Sequence, residues 1–203
     1  MSTAMKKIES SDTEWLQWIE IQKAVNKKWM RGALPSAVAE MDQFLAGDPS
    51  LDLRREALAF RAWLQRDIGD LKAAKSDLLA ALALAEKSDF VRCELEESIG
   101  FICLQEGDVQ EAENWYLIAL RTAAADPRVA GGNLVWQFLK LRGERGVSEE
   151  ERRLLEKVVR QSWALLRVGG EPDLRDLAST SQKLIEARKG PFSAERPPSP
   201  KAF

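Results

Sequence analysis

The chain has 203 residues, of which 45% are hydrophobic and 31% are charged, and its formal net charge is −2. This balance is typical of a globular protein long enough to bury a core, and it lacks the basic excess that binding to a nucleic-acid backbone favours. Histidine is absent and only Cys93 and Cys103 offer thiols, which disfavours general-base catalysis and a zinc site. We therefore expect no nucleic acid, no metal and no cofactor.

The N-terminal stretch MSTAMKKIESSDTEW has no apolar run of the kind found in signal peptides. No later stretch approaches the roughly 20 apolar residues of a membrane span. We therefore expect a cytoplasmic protein that does not enter a membrane. Residues 1–11 are predicted to be flexible, and Ser11 or Asp12 is the predicted N-cap of a helix that continues through TEWLQWIEIQKAVNKKWM.

Three segments that begin at Gly32, Gly69 and Gly107 repeat the same pattern, with spacings of 37 and 38 residues. An alanine follows each glycine by five residues, a large apolar residue by nine and a leucine by thirteen, so these positions share one face of a helix. Small residues stand seven positions before each glycine: Val25, Ala62 and Gly100. Each unit is predicted to be a helix, a tight glycine turn and a second helix. Gly100 is predicted to permit close helix contact opposite Ala112.

This pattern resembles the tetratricopeptide repeat (TPR) family, whose repeats of about 34 residues carry W-x2-L-G-x2-Y, then A-x3-F, then proline. Ile99 and Gly100 match the L-G pair, Ala112 and Tyr116 match A-x3-F, and Pro49 matches the closing proline of the first unit. Departures occur at Arg61, Glu96 and Cys103, which stand in the Leu, Trp and Tyr positions of their units. The resemblance implies an all-α, right-handed helical-hairpin solenoid with about three degenerate repeats, followed by extra C-terminal helices.

The predicted organisation places three TPR-like hairpins at residues 12–125 and a degenerate fourth hairpin at 126–168. The fourth hairpin is predicted to begin at Asp126 as N-cap and Pro127 as the first helical residue, and its second helix to begin at a Ser148–Glu151 capping box. A terminal capping helix is predicted at 172–189, from Pro172 to about Arg188. Residues 190–203 form a predicted disordered, Pro-rich tail, whose RPPSP segment is either a polyproline ligand or passive.

The TPR resemblance implies that the first helices of the hairpins line a concave groove that binds segments of other proteins. Projecting one helix face through the three units predicts a groove with three aromatic anchors and a mostly acidic surround. Its residues are Gln22, Asn26, Trp29, Glu56, Trp63, Arg66, Glu94, Glu97 and Phe101. Such a surface favours an amphipathic or moderately basic partner segment.

The same residues also have plainer interpretations. Trp63 and Phe101 are either groove or packing residues, and the glutamates are either binding residues or a solvated face. Trp15, Trp18, Trp115, Trp136 and Trp163 are interpreted as packing residues or cap contacts. Homodimer formation stays open, with the N-terminal helix that carries Trp15 and Trp18 as the expected edge.

Three functions remain in competition on the sequence alone. The leading hypothesis is a non-catalytic protein-protein interaction module, or scaffold, that binds a partner segment in the concave groove. The alternative is a dedicated chaperone or immunity-type protein that sequesters one cognate effector or toxin. The third is an enzyme that holds a divalent cation between Glu94 and Glu97, which share one helix face. The sequence has no recognisable set of catalytic residues, which disfavours this hypothesis.

Overall fold

The computed structural model describes residues 3–85 and 90–188, and their side chains at 13–85 and 90–187. These residues contain nine α-helices, one short 3-10 helix and no strand. They fall into two compact units, one within residues 1–84 and one within residues 85–196. Each unit is described below by itself.

The first unit consists of four helices, each of which packs against the next. They are α1 (Thr3–Met30), α2 (Leu34–Ala46), α3 (Leu51–Ile68) and α4 (Leu71–Leu84). Trp18, Val25, Met41, Leu53 and Leu64 are buried between the first three of these helices. Burying apolar surface stabilises the folded state by about 25 cal/mol per Å² removed from water, and this burial holds the helices together.

The second unit begins with a helical hairpin of α5 (Phe90–Glu106) and α6 (Val109–Ala125). It continues with α7 (Gly132–Arg142), a 3-10 turn at Gly143–Arg145, α8 (Glu149–Leu165) and α9 (Leu177–Arg188). Helix α6 packs on α7 and α8, and α9 packs on both α7 and α8. The unit therefore has one core shared by a hairpin and three further helices.

The three repeat glycines close their turns in the same way. Gly32, Gly69 and Gly107 have φ angles of 73°, 95° and 85°, in the left-handed region that favours glycine. Each donates its N–H to the carbonyl three residues earlier, and the following residue donates to the carbonyl five residues earlier. This is the Schellman arrangement, which satisfies the last carbonyls of a helix and reverses the chain. The predicted glycine turns are confirmed.

The predicted core face of the repeats is also confirmed. Ala37, Ala74 and Ala112 are fully buried, as are Val25 and Ala62 before the turns. The large residues nine positions after each glycine are also buried, namely Met41, Leu78 and Tyr116. Small residues before the turn therefore face small residues after it, and the bulky side chains fill the space further along each hairpin.

Gly100 lies where α5 and α6 come closest. A Cβ atom placed on it would lie 3.3 Å from the Cβ of Trp115 and 3.4 Å from the carbonyl oxygen of Ala112. Both neighbouring atoms are rigidly attached to the α6 backbone. The predicted contact of Gly100 with the helix that carries Ala112 is confirmed.

Three predicted helix starts are wrong. Helix α1 begins at Thr3 rather than near Ser11 or Asp12, so it runs through most of the segment predicted to be flexible. Helix α7 begins at Gly132, because Asp126 is the C-cap of α6 and binds the side chain of Arg128 instead of capping a new helix. That hydrogen bond lowers the pKa of the Asp126 carboxyl from its ordinary 3.8 to about 2.

The third wrong start is that of the last helix. Helix α9 begins at Leu177 rather than at Pro172, although it reaches Arg188 as predicted. The five residues before it form a loop whose carbonyl groups accept hydrogen bonds from side chains of α8 and α9. Arg152 donates to the carbonyl of Leu174 and the Thr180 hydroxyl donates to the carbonyl of Asp173.

Two glycines at the start of α7 are packing positions. A Cβ on Gly131 would lie 2.4 Å from a methyl group of Val158 in α8, and one on Gly132 would lie 2.6 Å from the Cβ of Leu184 in α9. Their missing side chains allow α8 and α9 to approach the start of α7. The cost of glycine in a helix is offset here by close packing.

Other local predictions have mixed outcomes. The Ser148–Glu151 capping box is present, and Cys93 and Cys103 are buried free thiols. Trp18 is buried against Phe44 and Phe60, so it cannot serve as an exposed edge for self-association, whereas Trp15 is 40% exposed. The Pro-rich tail at 190–203 lies outside the described residues, as does residue 189 of the predicted capping helix.

Candidate partner-binding surfaces

Helices α1 and α3 of the first unit carry six of the predicted groove residues. Five of them are half-buried, and Asn26 is exposed. These are Gln22, Asn26 and Trp29 on α1, and Glu56, Trp63 and Arg66 on α3. None is fully buried, so each side chain presents some surface to solvent.

A chain of side-chain contacts joins Trp29 to Trp63. The indole Nε1 of Trp29 donates to Asp67 Oδ2 at 2.8 Å, and Arg66 Nε donates to Asp67 Oδ1 at 2.7 Å. The Arg66 guanidinium lies over the Trp63 ring, 4.6 Å from its centroid. We call Trp29, Trp63, Arg66 and Asp67 the tryptophan cluster.

Neighbouring side chains support the tryptophan cluster on several sides. The Arg66 and Asp67 side chains are only 15% and 10% exposed, so their ion pair is shielded from water. Phe60 supports Trp29 from α3, with the two ring centroids 6.0 Å apart. Aromatic and arginine side chains held in fixed positions make good binding anchors, because little conformational entropy is lost when a partner binds.

The polar residues beside the tryptophan cluster differ in their contacts. Glu56 lies 3.4 Å from the guanidinium of its neighbour Arg55. The side-chain amides of Gln22 and Asn26 make no hydrogen bond within the part of the chain that the structure describes. Their amide groups can therefore donate to and accept from the backbone of a bound segment.

Helix α5 of the second unit carries the remaining predicted residues, Glu94, Glu97 and Phe101. All three are half-buried. The Glu97 carboxylate accepts a hydrogen bond from the Asn133 amide of α7. Its charge also adds to the effect of burial in raising the pKa of the Tyr116 hydroxyl. Glu97 therefore ties α5 to α7 as well as facing solvent in part.

Among the side chains described at 13–85 and 90–187, no group of three or more histidine, cysteine or acidic residues is placed to hold a metal ion. The described helices likewise include none that is both long enough and apolar enough to cross a membrane.

Sequence reasoning missed two members of the α1–α3 surface, Asp67 and Phe60. Asp67 directly follows the predicted residue Arg66, and Phe60 lies between the predicted residues Glu56 and Trp63. The projection assumed a single line of residues along the helix, whereas side chains one position away still reach the neighbouring helix. The repeat gave no direct signal for Asp67, because the residue one 37-residue repeat after Trp29 is its neighbour Arg66.

The comparisons with known proteins support the fold. No protein-family model and no curated protein matches the sequence. Among solved structures, one crystal structure of MamA matches with a TM-score of 0.50 and 16% identity, covering 80% of this chain and 91% of that one. A second crystal structure of MamA matches with a TM-score of 0.51 and 15% identity, covering 89% and 98% of the two chains.

At such low identity this likeness concerns the fold alone. The chain has an all-α, TPR-like fold in which helical hairpins are followed by extra C-terminal helices, as the resemblance to the TPR family implied.

Proposed function

We propose that the protein is a non-catalytic interaction module that binds a segment of a partner protein. The TPR-like fold supports protein-protein interaction in general, because helical-hairpin arrays present extended surfaces for binding. The observation that carries the proposal is the tryptophan cluster, which fixes two partly exposed indoles by hydrogen bonds and a cation–π contact.

The partner segment is proposed to be amphipathic and moderately basic. Trp29 and Trp63 offer apolar surface to its hydrophobic side chains. On the first unit, Glu56 offers a carboxylate to a lysine or arginine of the segment. The second unit, taken by itself, offers the carboxylates of Glu94 and Glu97 and the apolar surface of Phe101 on α5.

Peptide display against the full chain tests this proposal, because a random peptide library samples many candidate segments at once. We expect the selected peptides to combine apolar residues with lysine or arginine. Trp63→Ala is expected to weaken their binding by about tenfold or more, since a tryptophan anchor contributes on the order of 2 kcal/mol. Asn26→Arg, a change at an exposed position, is expected to weaken it by electrostatic repulsion while the melting temperature stays the same.

Trp136→Ala provides the matched control. This indole is also half-buried and carries a cation over its ring, Lys140, but it lies on α7 and is not part of the tryptophan cluster. We expect Trp136→Ala to leave peptide binding unchanged. Peptides that bind the Trp63→Ala and Asn26→Arg variants as tightly as the unmodified chain would show that the proposed surface is wrong.

A further inference from the structure

A separate depression lies in the second unit, where the end of α8 meets the loop that leads to α9. It encloses about 660 Å³ and is open to solvent. Trp163, Val168, Pro172 and Leu174 supply its apolar lining. Trp163 is held there by a hydrogen bond from its indole Nε1 to the carbonyl oxygen of Gly170, at 3.0 Å.

Arginines surround this apolar lining. Arg160, Arg167 and Arg175 all border the depression, together with Glu171 and Asp173. Asp173 is bound by Arg175, with Arg175 Nε 3.3 Å from Asp173 Oδ1, so these two charges offset each other. Arg160 and Arg167 form no ion pair or hydrogen bond with the described side chains, and both are exposed. The charges that remain around the rim are two arginines and Glu171.

The two arginines continue a line of cations along α8 and the turn that ends it. Lys157 and Arg160 lie three residues apart and share one face of α8, and Arg167 lies in the turn just beyond the end of that helix. Lys157 is also exposed and has no partner in the described part of the chain. We call Lys157, Arg160 and Arg167 the α8 basic stripe.

The backbone at Arg167 is an unusual place for an arginine. Its φ angle is +51°, and it occupies the left-handed position of a Schellman ending, where Val168 N–H donates to the carbonyl of Trp163 and Arg167 N–H to that of Ala164. Glycine is the preferred residue at this position, because any side chain is disfavoured there. Gly169 and Gly170 follow at once, yet the left-handed residue is an arginine. A side chain that persists against the backbone preference suggests a use for it.

We propose that the α8 basic stripe and the adjoining depression bind an acidic protein segment with an apolar residue between its carboxylates. The unpaired guanidinium groups match carboxylates, which arginine binds in a two-pronged geometry. The lining of Trp163, Val168, Pro172 and Leu174 matches one apolar side chain. This site differs from the tryptophan cluster in location and in the charge of its partner, so it stands independently of the function proposed above.

A nucleic acid is the less suitable polyanion for this site. The stripe has only three cations, and the whole chain carries a formal net charge of −2, so long-range attraction to a phosphate backbone is weak. The apolar lining also has no counterpart in a sugar-phosphate chain. An acidic peptide uses both features of the site.

Fluorescence anisotropy with a defined probe tests the proposal on the full chain. The probe is a labelled peptide in which aspartate and glutamate flank a single phenylalanine, and the comparison peptide has asparagine and glutamine in place of the acids. We expect saturable binding of the acidic peptide that weakens as salt is added, and clearly weaker binding of the neutral one. Arg160→Gln is expected to weaken binding by about two- to fivefold, the effect of one exposed charge pair.

Arg167→Gly separates a binding role from a structural one. Because glycine suits the left-handed backbone, we expect the melting temperature to stay the same or rise, while binding of the acidic peptide falls by about two- to fivefold. Arg121→Gln is the matched control: Arg121 is an exposed arginine on α6 outside the depression, and its replacement should not change binding. Trp63→Ala should also leave binding of this probe unchanged, which distinguishes this site from the tryptophan cluster.

Three outcomes would overturn the proposal. The first is the absence of saturable binding by the acidic peptide. The second is equal binding by the unmodified chain, Arg160→Gln and Arg167→Gly. The third is tighter binding of a single-stranded oligonucleotide that depends on the same two arginines, which would assign the α8 basic stripe to a nucleic acid instead.

Discussion

At the scale of single residues, the departures from the TPR pattern have physical explanations. Glu96 stands in a position that the repeat family fills with tryptophan, and it is buried with 1% of its surface exposed. Its carboxylate accepts hydrogen bonds from Arg92 Nε at 2.9 Å and from the Thr122 hydroxyl at 2.7 Å. A buried charge is tolerated only when it is paired and hydrogen-bonded, and Glu96 is both. At this position, a hydrogen bond between Glu96 of α5 and Thr122 of α6 thus takes the place of apolar packing between the two helices.

Gly100 gives the first prediction at this scale. Replacing it by leucine introduces a side chain where the α6 backbone leaves no room, so we expect a loss of about 1–3 kcal/mol in the free energy of unfolding. Gly100→Ala should change stability far less, because the gain of up to about 1 kcal/mol in helix propensity opposes the tight contact. Urea denaturation followed by circular dichroism measures both.

Gln105→Leu is the control for Gly100. It places the same side chain on an exposed position of the same helix, where the free energy of unfolding should stay within about 0.5 kcal/mol of the unmodified chain. If Gly100→Leu were as stable as this control, the close approach of α5 and α6 at Gly100 would be refuted.

At the scale of helices, Arg61 joins three elements of the first unit. It contacts Asp77 of α4 through two hydrogen bonds of 2.7 Å, and Asp42 of α2 through a third. The hydrogen bond to Asp77 is the largest of the effects that raise the pKa of Arg61, so the residue is firmly cationic. Its position in the repeat is one that the TPR family fills with leucine. A charged link therefore replaces apolar contact here too.

Breaking this link on one side is the prediction for helix packing. Arg61→Leu restores the family residue but leaves the Asp77 carboxylate, only 10% exposed, without its partner. We expect a loss of about 2 kcal/mol or more in the free energy of unfolding. The double variant Arg61→Leu with Asp77→Leu should recover most of that loss, because both charges are then replaced by apolar groups. Urea denaturation of the unmodified chain, the two single variants and the double variant gives the coupling free energy between Arg61 and Asp77. Purely additive effects of the two substitutions would contradict the predicted link.

The hairpins were predictable because their signals are local. One turn and one pair of helices fix the positions of a left-handed glycine, the alanine five residues later and the large apolar residue nine residues later. Gly69 and Ala74 therefore indicate the second hairpin directly. The start of α7 was not predictable by this means. Asp126 followed by Pro127 has the form of a helix beginning, yet the side chain binds Arg128, and the helix starts at the glycines against which Val158 and Leu184 pack. Contacts between residues distant in sequence decide that boundary.

At the scale of the whole molecule, the proposed binding residues were harder to predict from the sequence than the fold was. The projected stripe identified Trp29, Trp63 and Arg66, but the residue that connects them, Asp67, became visible only through its hydrogen bonds. The α8 basic stripe left no repeat signal, because α8 lies outside the three similar units. Its unusual feature, the left-handed backbone at Arg167, is a property of conformation that an arginine in a sequence does not reveal.

Thiol reactivity gives a prediction for opening of the folded chain. Cys93 and Cys103 are both at most 2% exposed, and Cys93 Sγ lies 3.5 Å from the carbonyl oxygen of Ala119. Since a buried thiol reacts only when the structure opens, we expect modification by a disulfide reagent to be more than about 10³-fold slower in the native protein than in urea. Single Cys93→Ala and Cys103→Ala variants let each thiol be followed alone. Reaction of either thiol in native conditions at the rate of an unfolded peptide would contradict the packing of α5 against α6. Equal protection of both thiols would indicate that this hairpin opens as one unit.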